Sequence, residues 1–189
     1  MLKSVMAYVK EHCAEELAML NAEVPEIKEI PTIRFHEAKQ IMEEKFGHKS
    51  KNRYDLNPDE EVLLCQWAKE EHDSDFVFVT HFPSAKRPFY AKDDPEDPKL
   101  ALSFDLLFRG LEITTGGQRI HDYQEQLDKM HAQGLDPEDF KYYLEAHKYG
   151  LPPHGGLGIG LERLVMKLLG LSNVRQASMF PRDINRLLP

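Results

Sequence analysis

Leu102-Ser103-Phe104-Asp105-Leu106-Leu107, then Phe108-Arg109-Gly110, then Leu111-Glu112-Ile113-Thr114-Thr115 is the stretch that decides the fold class. Two apolar runs of strand length flank a short turn that holds a glycine, the pattern of an antiparallel hairpin. Upstream, Asp75-Phe76-Val77-Phe78-Val79-Thr80 reads as one more short strand. Around these strands the apolar spacing turns helical. Leu2, Val5, Met6, Val9, Cys13, Leu17 and Leu20 share a face, so a helix is expected to about Ala22. Pro25 and Pro31 mark a connector, and a second helix is expected from about Phe35 to Phe46.

Asn57-Pro58-Asp59-Glu60 opens a third helix: asparagine caps, proline suits the first turn, and the acids meet the positive end of the dipole. Asp136-Pro137-Glu138-Asp139 opens another by the same logic. Leu161, Leu164, Val165, Leu168 and Leu169 form the face of a late helix that Gly170 ends. The acidic, proline-punctuated stretch Lys92–Pro98 reads as an exposed loop. Few strands, paired as hairpins and set among helices, indicate α+β with an antiparallel sheet flanked by helices, not a doubly wound parallel sheet.

With 189 residues and 41% hydrophobic content, the chain suits one globular domain. No apolar run approaches the roughly 18 residues of a membrane span, so no membrane partner is expected. Cys13 and Cys65 read as buried free thiols in a reducing cytoplasm. The net charge of −8 argues against general nucleic-acid binding. An RNA partner needs a local basic patch or another domain. Arg175, Arg182 and Arg186 make the tail basic, as a solvated surface or as such a patch.

Three clusters carry candidate chemistry. Asp105 and Glu112 are expected roughly opposite each other across the hairpin, where like charges repel. Either a cation such as Mg²⁺ with bound phosphate bridges them, or both face water. Next, Thr114-Thr115-Gly116-Gly117-Gln118-Arg119-Ile120-His121-Asp122 sets two glycines before a cation, a strand edge that a ligand approaches closely. Arg119 clamps a ligand carboxylate through paired hydrogen bonds, or it pairs with Asp122. His121 is expected to be a satisfied structural histidine. Third, in His154-Gly155-Gly156-Leu157-Gly158-Ile159-Gly160-Leu161-Glu162-Arg163 glycines alternate with apolar residues and run into a helix. That is a strand with one bare face, for a flat ligand or for tight packing. It matches neither G-x-G-x-x-G nor a P-loop. No zinc-ligand spacing and no G-x-S-x-G elbow occurs.

Gly155-Gly156-Leu157-Gly158-Ile159-Gly160-Leu161-Glu162-Arg163-Leu164 resembles motif 3 of the class II aminoacyl-tRNA synthetases. Ser103-Phe104-Asp105, Arg109-Gly110-Leu111-Glu112-Ile113 and Gly116-Gly117-Gln118-Arg119-Ile120-His121-Asp122 resemble the aspartyl type found in archaea and some bacteria. Phe82-Pro83-Ser84, Arg87-Pro88-Phe89-Tyr90 and Phe180-Pro181-Arg182-Asp183 match as well, so the likeness covers nearly the whole chain.

The resemblance implies part of a class II synthetase catalytic fold and aspartate–tRNA ligase chemistry: ATP activates L-aspartate, and the aspartyl group passes to tRNA. It implies ATP and Mg²⁺ as cofactors, a homodimer in the full-length enzyme, and cytoplasmic location. By position, Glu112 binds ATP through Mg²⁺ and Asp105 supports the metal. Thr115 contacts metal and amino acid, and Arg119 holds the aspartate side chain. Arg163 stacks on adenine and reaches the γ-phosphate, in a pocket shaped by Gly160, Leu161 and Glu162. Residues 1–189 are expected to be the C-terminal portion of that catalytic domain. Motif 1, motif 2 and the anticodon-binding OB domain have no counterpart in the sequence, so the chain is expected to be inactive alone and to meet tRNA only with the missing domains. Two other readings stay open: a paralogue that binds a nucleotide or a partner without ligating tRNA, and part of an asparagine–tRNA ligase.

Overall fold

A five-stranded sheet forms the middle layer of the computed structural model, which describes residues 1–188. Its strands are β1 (Thr32–Arg34), β2 (Phe76–Thr80), β3 (Ser103–Phe108), β4 (Glu112–Arg119) and β5 (His154–Ile159). They lie in chain order across the sheet. β1 runs parallel to β2, and every other neighbouring pair is antiparallel. The helices are α1 (Leu2–His12), α2 (Ala14–Met19), α3 (Phe35–Phe46), α4 (Pro58–His72), α5 (Tyr123–Ala132), α6 (Lys141–Lys148) and α7 (Leu161–Leu168). The α+β class expected from the hairpin is therefore the observed one. The parallel edge strand is an addition, because three residues between Pro31 and the start of α3 carry too little alternation to read.

Alternation in β2 and β3 fills two cores. Val77, Val79 and Leu107 point to one face and pack with Phe35, Ala38 and Met42 of α3 and Leu64, Cys65 and Ala68 of α4. Phe76, Leu106 and Phe108 point to the other and pack with Met6 of α1 and Leu164 and Leu168 of α7. Phe76 stacks on Phe108 with centroids 4.3 Å apart, a pairing worth about 0.5–1.5 kcal/mol beyond its buried area.

Arg109 and Gly110 form the hairpin turn, closed by Phe108 N–H to Leu111 C=O at 2.8 Å and the reverse bond at 3.2 Å. Arg109 adopts a left-handed φ of 47°. Its guanidinium accounts for that conformation: it donates to Asp75 and to the Glu23 carbonyl, both at 3.0 Å, and to the Lys167 carbonyl at 3.3 Å. One side chain thus ties the turn to β2, to the connector after α2 and to the end of α7.

Four sequence expectations need correction. The first helix breaks at Cys13 (φ −123°) and its second piece ends at Met19, because the apolar stripe beyond Cys13 finds little to bury it. Cys13 itself is only partly buried, while Cys65 is buried. Lys92–Pro98 is not simply an exposed loop. Asp94 is 6% exposed, Lys92 pairs with Glu125 at 2.7 Å, and Asp93 pairs with Lys129. Ion pairs of both polarities thus tie this stretch to α5. Finally, the ladder places Asp105 opposite Thr115 and Leu107 opposite Glu112, with a register shift at Leu106/Leu107. The bulge lets Ile113 turn into the core beside Leu106 and Phe108.

Candidate active site

Side-chain alternation on the three central strands sets Ser103, Asp105, Thr115, Gly117 and Arg119 on the face that α3 and α4 cover, opposite Gly156 and Gly158 of β5. A cavity of about 420 Å³ there is lined by Arg87, Tyr90, Ser103, Thr115, Arg119 and the glycines 116, 117, 156 and 158.

Gly116, Gly117 and Gly156 are there for close approach. A Cβ on Gly117 would lie 2.6 Å from the Leu102 carbonyl oxygen, and one on Gly156 would lie 3.1 Å from Nη2 of Arg119. Bare backbone at Gly156 lets the Arg119 guanidinium lie flat, with Cζ 4.8 Å from the Tyr90 ring centre. Arg119 has no carboxylate within ion-pair distance among the described residues. Asp122, the alternative partner, instead caps α5 by accepting from Glu125 N–H at 2.8 Å. Arg119 is thus a cation at the cavity wall with its fork uncommitted to any acid. His121 departs from expectation: its Nδ1 is buried without a hydrogen-bond partner. The Ser103 hydroxyl, in the cavity floor and 6% exposed, is likewise unpartnered.

Asp105 lies between the cavity and the start of β4. It takes two hydrogen bonds from Arg87, at 3.0 and 3.4 Å, and one from the Thr115 hydroxyl at 2.6 Å. Arg87 in turn stacks on Phe82, 3.8 Å from the ring centre. Sequence reasoning had given Arg87 no role; its signal was the Arg87-Pro88-Phe89-Tyr90 string.

A second cluster sits at the head of α7. Arg163 donates from Nη1 to the Glu112 carbonyl at 2.9 Å and lies 3.6 Å from Glu112 Oε1. Gly160 permits this fold-back, since a Cβ there would lie 3.2 Å from Arg163 Cδ. The guanidinium remains 48% exposed, so its other face is free for a ligand. Glu61 of α4, which the sequence reading did not single out, accepts the Glu112 N–H at 2.7 Å. Burial pushes the Glu112 carboxyl above its ordinary range, Asp105 adds to the shift, and Arg163 and Arg87 offset part of it. Glu61 is raised for the same first reason. Half-buried acids held near one another favour a cation. No three His, Cys, Asp or Glu side chains converge as metal ligands among the described residues. Glu112, with Asp105 nearby, is the carboxylate that could hold Mg²⁺, an ion that takes one or two carboxylates and completes its shell with phosphate oxygens and water.

The expected residues thus fall into two adjoining groups on β4. Thr115 and Arg119 line the cavity, and Glu112 meets Arg163. Asp105 stands between them, bonded to Thr115 and raising Glu112. Leu161 and Glu162 are exposed on the first turn of α7.

A mainly antiparallel sheet whose glycine-rich last strand feeds an arginine-bearing helix is the architecture of a class II synthetase catalytic domain. The family model for class II tRNA synthetases (D, K and N) matches residues 1–184, and the chain belongs to that family. Among curated relatives, it is 52% identical over 176 residues to the aspartate–tRNA(Asp/Asn) ligase of Thermus thermophilus, covering 93% of this chain and 41% of that protein. It is 47% identical to the aspartate–tRNA(Asp/Asn) ligase of Deinococcus radiodurans, covering 100% and 45%. The aspartyl-tRNA synthetase structure from Entamoeba histolytica superposes with a TM-score of 0.90 at 34% identity, over 98% of this chain and 39% of that one. Asparaginyl-tRNA synthetase from Pyrococcus horikoshii bound to asparaginyl-adenylate gives 0.85 at 34% identity, over 100% and 44%. The chain therefore spans less than half the length of these relatives.

Proposed function

We propose that this chain is the motif 3 portion of an aspartate–tRNA ligase catalytic domain, supplying half of the site that activates L-aspartate with ATP before transfer to tRNA. The observation that carries the reading is the contact of Arg163 with Glu112 on the strand that also presents Thr115 and Arg119. That contact supports a reading in which a nucleotide subsite adjoins an amino-acid subsite.

In this reading Arg119 holds the aspartate side-chain carboxylate with its flat fork, and Thr115 meets the substrate across the cavity floor. Arg163 leaves Glu112 to lie against adenine and the γ-phosphate, within the turn made by Gly160, Leu161 and Glu162. Glu112, supported by Asp105, would hold Mg²⁺, which would supply charge neutralisation at the triphosphate. The substrate carboxylate attacks the α-phosphorus, a bond forms to that phosphorus, and pyrophosphate leaves. None of these residues acts as a base. They align the reactants and compensate charge, effects of several kcal/mol in a preorganised site. The whole enzyme is proposed to act as a homodimer in the cytoplasm, with tRNA bound through regions outside this chain. Aspartate is preferred to asparagine because the curated relatives sharing 38–52% identity are aspartate ligases and because Arg119 has no competing acid.

The test is a chimera in which this chain replaces the matching segment of the Thermus thermophilus relative, assayed for amino-acid-dependent ATP–pyrophosphate exchange. Exchange is expected with aspartate and is expected to fall roughly 100-fold or more with Glu112→Ala. A folded chimera that exchanges only with asparagine, or with neither amino acid, would overturn the reading.

A further inference from the structure

We infer that Glu61 is a positioning residue for the nucleotide subsite, fixing Glu112 from behind while contacting no substrate itself. This rests on the nucleotide reading above. The register shift between Leu106 and Leu107 disturbs the β3–β4 ladder at the point where Glu112 enters the sheet. The Glu112 N–H is taken not by a neighbouring strand but by the Glu61 carboxylate, at 2.7 Å. The Glu112 carbonyl is taken by Arg163 at 2.9 Å. The backbone of Glu112 is thus held by side chains from two helices, α4 and α7, that lie on opposite faces of the sheet.

Glu61 itself is placed by its neighbour. Glu60 is fully buried and accepts from Lys39 and from the Asn57 N–H, both at 2.7 Å. That pins the first turn of α4 and fixes where Glu61 can reach. A carboxylate is an unusual choice for this task. It brings a second negative charge within reach of Glu112 and Asp105, where a neutral acceptor would hold the same N–H without repulsion. The arrangement is tolerable because Arg163 and Arg87 offset part of the repulsion at Glu112, and a bound cation would stabilise it further.

The experiment compares Glu61→Gln and Glu61→Ala with the wild-type chain by three readouts: calorimetric affinity for ATP with Mg²⁺, thermal midpoint, and hydrogen exchange at the Glu112 amide. Glutamine retains an acceptor, so its affinity is expected within about threefold of wild type, with the amide still protected. Alanine removes the acceptor of a charge-assisted bond, so affinity is expected to drop roughly tenfold or more, with fast exchange at Glu112. The glutamine rescue separates positioning from a structural tie, which would lower the thermal midpoint of the alanine variant without a change in nucleotide affinity. Equal ATP affinity in wild type and the alanine variant would overturn the inference while leaving the nucleotide reading standing. A wild type that binds no ATP with Mg²⁺ overturns both.

Discussion

Replacing Lys39 by methionine is expected to destabilise the chain by about 2–4 kcal/mol, and by less as the solution is acidified. Lys39 is 16% exposed at its side chain and Glu60 is 0% exposed; their Nζ–Oε2 contact is 2.7 Å. Removing one partner of a buried pair costs roughly 3–5 kcal/mol. The lower part of a slightly reduced range applies because Glu60 keeps its bond from the Asn57 N–H and lies 3.5 Å from His48 Nε2. At about 2–4 °C per kcal/mol for a chain of this size, the midpoint falls by roughly 4–16 °C.

The pH dependence follows from the carboxyl. Burial raises Glu60, yet hydrogen bonds led by Lys39 bring it below its ordinary range. In the wild type its contribution is therefore complete above the unfolded carboxyl range and is lost as pH falls through the lowered folded value. In the variant burial persists without Lys39, so the carboxyl moves upward. Its penalty is then present at neutral pH and relieved on acidification. Urea unfolding of both proteins near pH 7 and near pH 4 reads the difference. A gap below about 1 kcal/mol at neutral pH, or one equally wide in acid, would refute the buried-pair account.

Three further outcomes follow from individual contacts. Gly117→Ala is expected to cost about 1–3 kcal/mol in urea unfolding, since its Cβ would sit 2.6 Å from the Leu102 oxygen and 2.9 Å from Ser103 Cα, both backbone atoms. Arg119→Lys should weaken aspartate binding roughly tenfold or more while leaving ATP affinity unchanged, because a point charge cannot reproduce the flat fork; calorimetry with each ligand separates the two. Burial pushes the Cys65 thiol up to about 11, so under mildly alkaline conditions an alkylating reagent should label Cys13 first and Cys65 only on unfolding, as peptide mass mapping would show.

Elements bounded by strong local chemistry were legible in the sequence. α3 spans Phe35–Phe46 as its spacing indicates, and α4 begins at Pro58 behind Asn57. The glycine-alternating stretch is β5, and Gly170 follows α7. What escaped depended on partners far away in the chain. β1 is a strand only because β2 lies beside it. The bulge that sends Ile113 inward and sets Glu112 against Leu107 follows from packing on α7 and not from any alternation in β4. Acids in the first turn of α4 read as dipole partners, yet Glu60 is a buried anchor and Glu61 reaches across to β4. Asp105 and Glu112 lie near each other but not opposite, since Asp105 faces Thr115 and Glu112 faces Leu107, and the cation that answers Asp105 is Arg87, 18 positions upstream.

The most direct measurement is calorimetry of ATP with Mg²⁺ on the wild-type chain and on Arg163→Ala. A nucleotide held between Glu112 and the head of α7 requires binding to the wild type and a loss of roughly tenfold or more in the variant. Identical affinities in the two proteins, or no binding to either, would contradict it.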